Sequence, residues 1–204
     1  MKKIVNISFG ILFLALLSCQ NISKQLENSI QHETLLYGKI ETRLGTIILE
    51  LSDATPRHKA SFIALAKAGY WDSLSFNRVI PGFVAQGGCP DTPEGFGDSP
   101  YLMDGEFVDS LKHIYGAVGA GRDDNPEKKS AACQFYIVQA KDGLARLDGD
   151  YTVFGQVIKG MDVVDAIVGV ERDSNDAPLE TIALKVDIIE LSQEGLDSIR
   201  LQGQ

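Results

Sequence analysis

Short stretches in which apolar and polar residues alternate recur along this chain, and two segments read as helices. Residues 39–42 and 46–51 predict a β-hairpin turning at Leu44-Gly45, with Ile47, Leu49 and Leu51 alternating onto one face. Thr55-Pro56 predicts a helix start, with threonine as N-cap and proline at the first helical position. That helix should run to about Ala68 and stop at Gly69. The stretch 75-SFNRVIPGFVAQGGC-89 holds two further strands joined through Pro81-Gly82. Strands are also expected within 115-YGAVGAG-121, 133-CQFYIVQ-139, 151-YTVFGQVI-158 and 182-IALKVDII-189, and a short helix over 161–167 closed by Gly169. Residues 122–132 read as a polar, solvated loop, and Trp71 after the first helix as a packing residue. Many short strands, Gly-rich turns and two helices indicate a mainly β sandwich or barrel.

Arg78 and Gln86 are out of place in this pattern, because strands that only filled a core would carry Val or Leu there. Strand side chains alternate, so Phe76, Arg78 and Ile80 are expected to share a face. If Pro81-Gly82-Phe83 is a three-residue loop, Ile80 pairs with Val84 and Arg78 lies opposite Gln86. A two-residue loop instead sets Arg78 against Ala85 and turns Gln86 away. The first register makes a polar pair on one sheet face, with Phe83 able to fold over its edge. The same period puts Gln134 and Tyr136 on one face of their strand and Phe135 on the other, toward a core.

The N-terminus changes the picture. Met1-Lys2-Lys3 precedes an apolar run over 4–17, too short to span a bilayer as a helix but suited to a secretory signal. It ends in 16-LLSC-19, which resembles a bacterial lipobox and marks Cys19 as the lipidated residue; an ordinary signal peptide with a chance cysteine is the alternative. The expected organisation is a signal over 1–18, a polar tether over 19–36, a domain over 37–191 and a tail over 192–204. The domain would then lie outside the cytoplasm on a bacterial membrane, the outer one being mildly preferred because Gln20, not Asp, follows the cysteine.

The chain of 204 residues has a formal charge of −9, which argues against a nucleic-acid partner, and 44% hydrophobic residues, enough for an ordinary core. Outside the cytoplasm Cys89 and Cys133 could form a disulfide, although neither lies in a disulfide framework or a nucleophile motif. His32, His58 and His113 are too widely spaced for a metal-ligand pattern, and 116-GAVGAG-121 lacks the Lys-Ser/Thr ending of a phosphate loop. No metal or cofactor is expected.

The run 76-FNRVIPGFVAQGG-88 closely resembles the signature of cyclophilins, the peptidyl-prolyl cis-trans isomerases. The resemblance continues in order through 116-GAVGAGR-122, 134-QFYI-137 and 147-LDGDYTVFGQVIKGMDVVDAI-167, and covers residues 37–191. It implies a closed eight-stranded antiparallel β-barrel capped by two α-helices. By that resemblance Arg78 matches the catalytic arginine, and Gln86 the glutamine that helps position it and the substrate. Phe83, Val84, Tyr136 and Leu147 match the walls of the proline pocket. Gln134, Gly121 and Arg122 match positions along the bound backbone, and Tyr151 a pocket-edge position that is often histidine.

Three features depart from the family pattern. Arg146 stands where many eukaryotic members carry the tryptophan associated with tight cyclosporin binding, so weak cyclosporin sensitivity is expected. The loop over 123–133 is a few residues longer than in compact members. Cys89 follows the Gly-Gly where an acidic residue is frequent. The implied partners are proline-containing polypeptides and, through the N-terminal lipid, a membrane; a monomer is expected. A rival reading keeps the fold and drops catalysis, leaving a proline-segment binding module or chaperone.

Overall fold

The computed structural model describes residues 34–89 and 102–202. The apolar run at 4–17, Cys19 and most of the expected tether lie outside them. The first elements are β1 (Leu35–Thr42), β2 (Gly45–Leu51), α1 (Pro56–Lys67), β3 (Ser75–Val79), β4 (Val84–Gly88) and β5 (Leu102–Met103). There follow β6 (Ala117–Ala120), β7 (Ser130–Ala131), β8 (Gln134–Val138), a 3-10 turn (Ala145–Leu147) and β9 (Val153–Lys159). The chain closes with α2 (Met161–Val168), β10 (Ile182–Ala183), β11 (Lys185–Leu191) and α3 (Gln193–Gln202).

Nine strands pair antiparallel in the order β10-β3-β4-β8-β6-β9-β2-β1-β11. The two ends of this order are consecutive pieces of one segment, broken only at Leu184. There the chain changes partner, from β3 to β1, and the Leu184 N–H donates to the Leu74 carbonyl at 2.9 Å. The sheet is therefore a nearly closed barrel: nine strands by pairing, against the expected eight, because the last segment is interrupted where it switches edges. β5 and β7 form a separate two-stranded ribbon, and β7 lies inside the segment 122–132 that was expected to be a polar loop.

Three local expectations need correction. Thr55 is the N-cap residue of α1, yet its side chain caps nothing and its hydroxyl turns back to the Ser52 carbonyl. The free N–H groups of Arg57 and His58 donate instead to the carboxylate of Glu106, at 3.2 and 2.9 Å. A carboxylate suits a helix N-terminus, whose donors and dipole both favour negative charge. β1 begins at Leu35, inside the expected tether, because Leu35 and Leu36 pair with Leu191 and Glu190 of β11. The expected tail carries α3, whose Leu196 is 5% exposed beside Tyr37 and Ile48.

Inward residues form the main core. Ile47, Leu49 and Leu51 lie there as the alternation requires, with Val118, Phe135, Ile137 and Phe154 from the other strands. α1 adds Phe62 and Ala66, and α2 adds Val163, Val164 and Ile167. Trp71 packs against Phe62 and Phe135 and donates its indole N–H to the Cys133 carbonyl at 3.0 Å.

Candidate active site

The outward faces of β3, β4, β8 and β6 build the site. A bulge at Asn77 sets it up: Phe76 lies opposite Gly87, and Arg78 opposite the next residue, Gln86. The extra residue breaks the alternation, so Phe76 turns into the core at 1% exposure while Arg78 faces out. Phe76 and Arg78 therefore do not share a face, contrary to simple period-two reading. Beyond the bulge the three-residue loop holds, with the Ile80 N–H donating to Val84 O at 2.9 Å. Gln139 pins that loop, accepting from the Gly82 N–H at 2.7 Å, while its own N–H donates to Phe83 O at 2.8 Å.

An open cavity of about 340 Å³ lies over this surface. Arg78 and Gln86 line it, the guanidinium donating to the Gln86 carboxamide oxygen at 3.4 Å. Phe83, Val84, Tyr136 and Leu147 supply its apolar walls. Gly121, Arg122, Gln134 and Tyr151 complete the set expected from the sequence. Arg146 also lines it, its guanidinium 4.8 Å from the centre of the Phe83 ring. All ten expected pocket residues are thus brought together; Cys19 lies outside the described residues.

The glycines of β6 and the residue after it are explained here. A Cβ on Gly119 would come within 2.2 Å of the Tyr136 ring, and one on Gly121 within 2.1 Å of the Gln134 carboxamide. The missing Cβ atoms leave the space that the Tyr136 ring and the Gln134 carboxamide occupy. Gln134 is held further by donating to the Cys89 carbonyl at 3.0 Å. Cys89 and Cys133, whose pairing was left open, are joined by a disulfide at the edge of the site.

Sequence reasoning missed the support beneath the pocket. The buried His113 ring lies 2.8 Å from Asp148 through Nδ1 and 2.8 Å from the Tyr136 hydroxyl through Nε2. An ionised carboxylate only accepts, so Nδ1 carries the proton and Nε2 accepts from the tyrosine. Burial pushes the His113 pKa down against the opposing pull of Asp148, and burial raises the Tyr136 phenol well above its ordinary value. Burial opposes ionisation of Asp148, but hydrogen bonds from His113 and the charge of Lys112 outweigh it and hold that carboxyl low. A buried tyrosine hydroxyl needs a partner, which is the only sequence signal that pointed to His113.

His58 repeats the theme behind the site. Its Nδ1 lies 2.6 Å from Glu106, its Nε2 has no partner among the described residues, and burial lowers its pKa. The sign follows from linkage. An unfolded histidine binds its proton near pH 6.5, and these two resist protonation until lower pH, so unfolding takes up protons and stability falls below about pH 6.5. Thermal melts should be level from pH 8 to 7 and then decline toward pH 5. A melting temperature unchanged down to pH 5.5 would contradict neutral burial of both rings.

The arrangement is a cavity with apolar walls and three arginines in its lining, of which Arg78 is hydrogen-bonded to a neutral amide. No group of three or more metal-capable side chains occurs among the described residues. Such a site can hold an apolar segment of a polypeptide and polarise a bond beside it. Residues 37–187 match the family described as cyclophilin type peptidyl-prolyl cis-trans isomerase/CLD. The chain is 35% identical over 149 residues to peptidyl-prolyl cis-trans isomerase ppi1 of Schizosaccharomyces pombe, covering 72% of this chain and 94% of that protein. It is 36% identical over 148 residues to isomerase CYP18-1 of Arabidopsis thaliana, covering 71% and 90%. A crystal structure of a Cryptosporidium parvum cyclophilin-type isomerase, determined in the presence of the dipeptide Ala-Pro, superposes with a TM-score of 0.66 at 27% identity, covering 77% of this chain and 99% of that one. The chain belongs to the cyclophilin-type peptidyl-prolyl cis-trans isomerase family.

Proposed function

We propose that the protein accelerates rotation about X-Pro bonds of polypeptides folding in a bacterial cell envelope, held to a membrane by a lipid on Cys19. The observation carrying the catalytic part is Arg78, aimed over an apolar pocket and hydrogen-bonded to a neutral amide. Among the described residues no carboxylate forms an ion pair with it. Amide resonance makes rotation cost about 18–20 kcal/mol, and unaided prolyl isomerisation takes roughly 10–100 s. In the twisted state the lone pair returns to the proline nitrogen, which becomes an acceptor. A guanidinium already in place then stabilises that state more than either planar one, with no covalent step. Arginine suits the task because it stays charged and presents a rigid fork of donors. Phe83, Tyr136 and Leu147 hold the ring while the preceding carbonyl swings, and Gln86 keeps the guanidinium aimed.

Assaying X-Pro peptide isomerisation alongside peptide binding, for wild type and Arg78→Ala, tests this reading. Turnover lost with binding retained supports catalysis. Binding without turnover in the wild type leaves only a binding module.

Two features support the envelope setting: the lipobox-like 16-LLSC-19 and the Cys89–Cys133 disulfide, a bond that persists in oxidising compartments. Cys19→Ser is expected to move the protein from the membrane fraction to the soluble one on fractionation of the bacterial host. Continued membrane retention would count against lipidation.

A further inference from the structure

The chain contains seven arginines, and the described ones divide sharply. Arg43 pairs with Glu180, Arg57 with Asp104 and Glu106, and Arg172 with Asp176. Three more, Arg78, Arg122 and Arg146, all line the proposed proline pocket. Arg122 is occupied: it stacks 4.5 Å over the Tyr151 ring and donates to the carbonyls of Asp123 and Asp150. Arg78 and Arg146 instead share the ring of Phe83, at 6.0 and 4.8 Å from its centre. Neither forms an ion pair with a carboxylate of the described residues, and no Asp or Glu lines the cavity. In a protein of net charge −9 the described lining of this mouth carries three arginines and no carboxylate, Asp150 lying outside the lining beside Arg122.

The two cations have different work available. Arg78 lies low, beside Gln86, where the amide would twist. Arg146 is exposed on the rim, with its guanidinium over Phe83 and its donors without a partner among the described residues. A bound segment would cover the apolar wall and exclude water, which strengthens a guanidinium–carboxylate contact. We infer that Arg146 is a specificity-determining residue, selecting proline segments that carry an acidic side chain next to the proline. This rests on the isomerase reading above and adds the substrate class to it.

The contact exists in the planar and twisted states alike, so it acts on KM rather than kcat. One partly exposed charge pair gives about a 2–5-fold preference. The test measures kcat/KM of the full chain on peptides identical except for Glu, Gln or Lys beside the proline, placed before it in one set and after it in the other. Wild type should turn over the Glu peptide of one set about 2–5-fold better than its Gln counterpart, through KM, with Lys poorest. The advantage should shrink as salt rises. Arg146→Gln should bring the Glu-to-Gln ratio to about one, and Arg146→Glu should reverse the order of Glu and Lys. Melting curves would establish that both variants are folded. Equal use of Glu and Gln peptides by the wild type, or a preference that survives Arg146→Gln, would overturn the inference. If the wild type accelerated none of the peptides, the isomerase reading would fail first, and this one with it.

Discussion

Arg78→Ala is expected to lower kcat/KM on an X-Pro peptide by about 10²–10³-fold, the scale for losing one preorganised donor at a transition state. Most of the loss should fall on kcat, because the planar ground state makes little use of the guanidinium. The apolar wall of Val84, Tyr136 and Leu147 survives the change, so peptide affinity should stay within a few-fold of wild type. Stability should change little as well. Arg78 is half-buried on the outer barrel face, and its described side-chain contacts are the single bond to Gln86 and the edge of Phe83. Arg78→Lys is a useful companion. It keeps the charge but replaces the planar fork with a point donor on a flexible stem, so it should recover only part of the rate. A purified Arg78→Ala protein retaining more than half of normal turnover would remove the arginine from the mechanism.

The second large effect concerns stability. Cys89 and Cys133 are 44 residues apart in sequence, and their bond closes a loop containing β5, β6 and β7. Cross-linking a loop of that length restricts the unfolded chain and stabilises the fold by about 2–4 kcal/mol. Replacing both cysteines by alanine should therefore lower the melting temperature by roughly 5–15 °C. The same bond adjoins the site, since Gln134 follows Cys133 and donates to the carbonyl of Cys89. Peptide KM should rise in the double variant more than kcat falls. An unchanged melting temperature would show that the strand pairing of β4 with β8 holds this edge without the disulfide.

Part of the pocket could be read from the pattern, because its polar members sit where strands should be apolar; Gly121, Arg122, Leu147 and Tyr151 were reached only through the family resemblance. Arg78, Gln86 and Gln134 interrupt runs of core-forming residues, and a three-residue loop at Pro81-Gly82-Phe83 sets Arg78 against Gln86. What stayed hidden depends on contacts between distant parts of the chain. The bulge at Asn77 leaves no local mark, yet it decides that Phe76 and Arg78 face opposite ways. Glu106 caps α1 from 48 residues away, so Thr55 looked sufficient for the task. His113 and Asp148 meet under Tyr136 only once β6 and β8 are paired. The small residues of 116-GAVGAG-121 read as a short strand, but the pattern did not show their purpose, which is the space they leave for Tyr136 and Gln134. The split of the final strand at Leu184 follows from barrel closure, which no single segment encodes.

The central claim is that this pocket twists a prolyl bond and does more than hold it. The most direct measurement is magnetisation exchange between the cis and trans signals of an X-Pro peptide in the presence of a small amount of the protein. The expected result is exchange on the sub-second scale, against roughly 10–100 s for the free peptide, reduced by about two orders of magnitude or more with Arg78→Ala. Peptide signals that shift on binding while cis and trans interconvert no faster than in the free peptide would contradict it.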